Sequence, residues 1–142
     1  MGVSARIHVY VTYLELIRYL SMMMEGVERT APISTVGPPV KPPPPPSDED
    51  QWELEAKVSA FGSEAVQAGL QDWLSRVRDF YSAVFQLNQM KESGRTATEL
   101  QAEWGVDLAG QRQRLDSKRQ ELRDFAADLR KRILEELRGE AN

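Results

Sequence analysis

The sequence contains no cysteine and a single histidine, His8. No disulfide or thiolate metal site can form, and a histidine-based zinc or iron centre lacks its ligands. A Ser-His-Asp or Cys-His nucleophile would have to be built on His8, which sits in a tyrosine-rich stretch with no Gly-rich nucleophile turn beside it. Neither GxGxxG nor GxxxxGK[ST] occurs, so the usual phosphate-cradling loops are missing. A carboxylate-only active site would need paired acids in a cleft, whereas the acids here are spread as solubilising charge is spread on helices. These gaps predict that the chain is not an enzyme and carries no metal and no cofactor. With no cysteine to report on redox compartment, an intracellular setting, cytoplasmic by default, is the expectation.

Proline is missing in a different way. All eight prolines fall between positions 32 and 46, and none follows. The 142 residues therefore divide into an apolar N-terminal stretch (1–25), a proline-rich linker (26–46) and a proline-free body (47–142). Val40-Lys41 and the proline run 42–46 predict a semi-rigid polyproline II spacer. The run could also dock SH3, EVH1 or profilin-type grooves, but it has no arginine at the usual offsets, and the spacer role is favoured. The composition, 41% apolar and 28% charged, suits elongated helices with much surface per residue.

In the N-terminal stretch two periods compete. Ile7, Val9, Val11 and Tyr13 alternate as in a strand, while Tyr10, Tyr13/Leu14, Ile17 and Leu20 recur at helical spacing. A helix is the reading, because no second strand exists to pair with the first. His8, Glu15 and Arg18 interrupt its apolar residues, so it is too charged for a comfortable membrane span. It suits packing on protein, with an interfacial helix that keeps Arg6 and Arg18 outward as the alternative. A targeting role would have to accommodate Glu15.

The body begins with Ser47 as a capping hydroxyl ahead of Asp48, Glu49 and Asp50, acids that favour the positive end of the helix dipole. Helical pattern runs over 48–91, Ser93-Gly94 ends it, and Thr96 with Glu99 forms a capping box for a second helix over 97–138 (Thr98 with Gln101 being the other register). Two arms of 44 and 42 residues joined by a short turn predict a long antiparallel hairpin, each arm roughly 65 Å long. Gly62, Gly69, Gly105 and Gly110 each weaken the arms by about 1 kcal/mol against alanine, and a break near Gly62 is the first place to expect one.

In the first arm Val66, Leu70, Trp73, Val77, Phe80, Val84 and Leu87 follow alternating steps of four and three, a heptad seam. In the second, Leu108, Leu115, Leu122 and Leu129 recur every seven residues, with Trp104 and Phe125 in the companion series and Gln111 and Lys118 interrupting it. Folding about Gly94 would set Trp73 against Leu115, Phe80 against Leu108, Val66 against Leu122, and Phe61 between Phe125 and Leu129. The fold class expected is therefore all-α: a coiled-coil-like hairpin plus an N-terminal helix on a proline-rich linker.

The leucine repeat is not a DNA-reading zipper, since Glu99, Glu103 and Asp107 precede it where a basic region would have to stand. Arg112, Arg114, Lys118, Arg119, Arg123, Arg130, Lys131 and Arg132 are interleaved with acids such as Asp116, Glu121, Asp124, Asp128, Glu135 and Glu136, the pattern of an ion-paired helix surface. Together with a net charge of −4, this predicts no nucleic-acid partner.

Leu74, Tyr81 and Phe85 stand beside the first-arm seam and widen its apolar face beyond what one partner helix covers. They are the candidate protein-contact residues, for self-association or for a helix of another protein. Over six residues, Gly69-Leu70-Gln71-Asp72-Trp73-Leu74 resembles the first helix of a spectrin-type repeat, in which a Trp marks the core. A full three-helix repeat would need another boundary between positions 97 and 138. The pattern offers none, so no family is assigned.

Overall fold

The computed structural model describes residues 3–30 and 48–139, with side chains from Arg6 and from Glu49 onward. The proline-rich run and the Ser47 cap lie outside the described residues. All the described elements are helical: α1 (Val3–Arg29), α2 (Asp48–Phe61), α3 (Glu64–Glu92), α4 (Ala97–Trp104) and α5 (Leu108–Leu137).

The helical period of the N-terminal stretch prevails over its alternation. Tyr13, Leu16, Leu20, Met23 and Val27 are buried along one face of α1. This helix does not stop before Gly26, as the linker boundary implied, but continues to Arg29. The fully buried Val27 holds the extra turn, and the Thr30 hydroxyl donates to the Val27 carbonyl at 2.6 Å and closes it.

The first arm is not continuous. It breaks at Gly62-Ser63, where Gly62 N–H donates to Val58 O at 2.7 Å. A Cβ at position 62 would lie 2.7 Å from the same oxygen, so only glycine fits the turn unstrained. Ser63 takes extended backbone angles and restarts the chain as the N-cap of α3, its Oγ accepting from Val66 N–H at 3.2 Å. The break folds α2 back. Gln71 of α3 donates to Glu55 of α2 at 3.2 Å, and Lys57 of α2 donates to Glu15 of α1 at 3.1 Å. Phe61 is therefore not between Phe125 and Leu129; it stacks on His8 with ring centroids 5.0 Å apart.

The second arm is also broken. Gly94 takes a left-handed conformation (φ 71°) after α3, as the turn requires, and the capping box forms on Thr96 and Glu99. After only eight residues, however, Gly105 again turns left-handed (φ 66°) and ends α4. This is the boundary that the pattern between positions 97 and 138 did not reveal. The return helix starts at Leu108, so the pivot moves along the chain. Trp73 stacks on Phe125 at 6.3 Å rather than facing Leu115, and Gly69 lies beneath Leu129. Both pairs of residue numbers add to 198, where a fold about Gly94 would give about 188.

With α3 antiparallel to α5, Tyr13 and Glu28 of α1 bonded to Glu136 and Arg123 of α5, and α2 antiparallel to both α1 and α3, these four helices alternate in direction. Helix α5 packs on α3 and α1, and α2 packs on α1 and more lightly on α3. One apolar cluster draws buried residues from all five helices. Arg123 lies opposite Ser75 in the α3–α5 register, so α1 ends about one turn past that level; Glu55 meeting Gln71 brings the start of α2 to a similar height. Beyond it the described elements are α3, α4 and α5 alone.

Candidate interaction surfaces

One polar cluster ties together the proximal end of the bundle, where α1, α2, α3 and the last turns of α5 run side by side; the end made by α3, α4 and the start of α5 is the distal one. The Tyr13 hydroxyl donates to Glu136 Oε1 at 2.8 Å and accepts from Ser63 N–H at 3.0 Å. Ser63 Oγ and Arg132 Nε each donate to Glu136 Oε2 at 2.8 Å. Burial alone would raise the Glu136 pKa, but the hydrogen bonds from Tyr13, Arg132 and Ser63 outweigh it and hold the carboxyl below its ordinary value. Burial raises the Tyr13 pKa, so its hydroxyl stays a donor. Every member is partnered, and the cluster joins α1, the α2–α3 turn and α5. These bonds clamp three separate parts of the chain to one carboxylate. His8, the one imidazole, lies flat on Phe61.

The seam residues Val66, Leu70, Trp73, Val77, Phe80, Val84, Leu87, Leu108, Leu115, Leu122 and Leu129 are buried, and Ile133 joins them from outside the expected set. Phe125 is partly buried, with the Arg76 guanidinium 4.8 Å from its ring centre. Trp104 is not a core residue. It is 50% exposed, because α4 stops at Gly105 before the seam resumes, and Arg95 covers its ring at 4.8 Å. Only Leu100 of α4 is buried.

The three candidate contact residues separate. Leu74 is 6% exposed, inside the chain's own core and closed to a partner, because it lies one turn past Gln71, where α2 packs. Tyr81 is half-buried, its pKa raised by that burial, and meets Phe80 edge-on at 5.4 Å. Phe85 is 62% exposed. Tyr81 and Phe85 are one helical turn apart on α3, beyond the level where α1 and α2 end.

A second apolar surface was not singled out from the sequence. Ile7 (57% exposed), Tyr10 (55%), Val11 and Leu14 (44% each) line the face of α1 that points away from the bundle, with Met22 two turns further on. Their spacing of three, four and seven was visible, but it merged with the buried series on the opposite face. A stretch apolar on both faces reads as a single run.

Among the described residues no helix is long and apolar enough to cross a membrane, and no three His, Asp or Glu side chains are placed to share a metal ion. No protein-family model, curated protein or solved structure matches this chain.

Proposed function

We propose that the chain is a non-catalytic structural or adaptor protein that binds helices of a protein assembly with the distal, hairpin-like arm formed by α3 and α5. One observation carries the reading: Phe85 stands largely exposed one turn from the half-buried Tyr81, where two of the bundle's four long elements have ended. An aromatic pair on one helix face suits a helix-in-groove contact, in which ring burial supplies most of the binding energy. The absence of a catalytic role in this reading is supported by the chemistry at hand. The histidine is used as a stacking ring, and Glu136, whose carboxyl is held below its ordinary pKa, is spent on three structural hydrogen bonds.

The test is the solution mass of the full chain, by light scattering after size exclusion across a concentration series, beside the double variant Tyr81→Ser, Phe85→Ser. The wild type is expected to self-associate as concentration rises, the variant to remain monomeric, and the two to share one far-UV circular dichroism spectrum. A collapse of helicity in the variant would place the two rings in the core and remove the contact surface. A wild type that stays monomeric at every concentration would remove the self-assembling form of the reading.

A further inference from the structure

We propose that the outward face of α1 docks on an anionic lipid surface. This surface is separate from Tyr81 and Phe85, so the inference does not depend on the partner-helix reading.

Four observations converge on it. First, Ile7, Tyr10, Val11 and Leu14 sit at i, i+3, i+4 and i+7, one continuous ridge over two turns, and all four are exposed. Second, this part of α1 overhangs the bundle. Tyr13 is already level with Glu136 in the last turn of α5, so the turns before it run past the end of α5, with Phe61 of α2 stacked on His8 beside them. A convex ridge at the tip of a helix pair offers a partner helix little to wrap, whereas it can lie in the headgroup layer of a planar surface.

Third, the charges around the ridge are positive. Arg6 and Arg18 bracket it, both exposed and neither in an ion pair among the described residues. No acid precedes Glu15, and Glu15 is held by Lys57 at 3.1 Å. On a chain whose net charge is −4, this local sign stands out against that of the whole molecule, and it complements an anionic surface. Fourth, the opposite face of α1 is committed: Tyr13, Leu16, Leu20, Met23 and Val27 are buried in the bundle core. The helix can therefore lie on a membrane while the bundle stays folded. Tyr10 suits the headgroup level, with an apolar ring and a polar tip.

The experiment is flotation of the full chain with two sets of vesicles, phosphatidylcholine alone and phosphatidylcholine containing phosphatidylserine. The wild type is expected to float with the phosphatidylserine vesicles and to do so less as salt is added. Arg6→Glu with Arg18→Glu should lower the partition coefficient by at least about fivefold for each lost arginine, and should leave the weak partition onto phosphatidylcholine unchanged. Tyr10→Ser with Leu14→Ser should abolish flotation with either vesicle while circular dichroism stays as in the wild type, because both side chains are exposed. The proposal is overturned if the wild type does not float with phosphatidylserine vesicles, or if Tyr10→Ser, Leu14→Ser floats as well as the wild type. It is also overturned if that variant changes only the mass by light scattering, which would make the ridge a protein contact. Tyr81→Ser, Phe85→Ser should float like the wild type, so failure of the partner-helix reading and failure of this one are read from different variants.

Discussion

The proximal and distal parts of the bundle are held by different kinds of contact. Where α1, α2, α3 and α5 run side by side, polar side chains reach across the chain: Tyr13 to Glu136, Ser63 to Glu136, Lys57 to Glu15, Arg123 to Glu28. Where α3, α4 and α5 continue alone, the polar ties around the α3–α4 turn are local. Ser93 Oγ donates to Met90 O, Thr96 and Glu99 cap one another, and Arg95 pairs with Glu103. Local ties fix a backbone without fixing what it packs against, and exposed ion pairs such as Arg123–Glu28 add little energy but select the register. The proximal part should therefore unfold as a unit, and the distal part should open first.

The largest test of that contrast sets Trp73→Ala against Leu100→Ala. Trp73 is wholly buried in the four-helix part, and truncating it should cost about 3–5 kcal/mol and lower the urea midpoint of the whole chain. Leu100 is equally buried but is the only buried residue of α4, whose main packing is on α5. Its truncation should leave the main transition close to the wild type and speed amide exchange in α4 and the first turns of α5. A Leu100→Ala midpoint that falls as far as that of Trp73→Ala would show a single cooperative unit and erase the distinction.

Glu136 sharpens the comparison from the polar side. Glu136→Gln keeps the shape but loses the charge that three donors address, and should cost about 1–3 kcal/mol. The pH dependence has a definite sign. The folded carboxyl titrates below its ordinary 4.5, so its contribution is complete above that pH and is lost as pH falls towards the folded value. Wild-type stability should drop in that window more steeply than that of Glu136→Gln. Parallel acid profiles would mean that the cluster adds no linkage.

Much of this arrangement was legible in the sequence, and the parts that were not have identifiable causes. The seam from Val66 to Leu87 and the leucines of α5 were readable because a heptad spacing survives any register. The capping box was readable because its hydrogen bonds are local. The pairing of the two arms was not, since it depends on where the return helix begins. Gly105 could as well have been a tolerated helical glycine, and only its left-handed conformation moved the pivot by about five residues. The clamp of Tyr13, Ser63 and Glu136 joins residues 50 and 73 positions apart, and nothing local to any of them announces it. The α1 ridge was hidden by the buried residues between its members. Leu74 and Phe85 differ for a reason outside their own helix, namely that α2 reaches the level of one and not of the other.

The smallest predicted effect has the opposite sign to the others and comes from a second tyrosine on α1. Tyr19 is 7% exposed, yet its hydroxyl has no hydrogen-bond partner among the described residues, unlike that of Tyr13. Burial, with Glu55 and Asp50 nearby, pushes its pKa up to about 12. A buried hydroxyl that makes no bond costs free energy, so Tyr19→Phe should be neutral or stabilise by up to about 1 kcal/mol, whereas Tyr13→Phe should destabilise by a similar amount or more. Alkaline behaviour separates the two explanations. The unfolded chain ionises this tyrosine near pH 10 and the folded chain only near 12, so Tyr19 withdraws stability as pH rises between those values. Tyr19→Phe should lose less over that interval, by thermal melting at matched ionic strength. A Tyr19→Phe melt below that of the wild type at neutral pH would mean that the hydroxyl is bonded in solution, and that a second tyrosine hydroxyl of α1, besides that of Tyr13, ties it to the bundle.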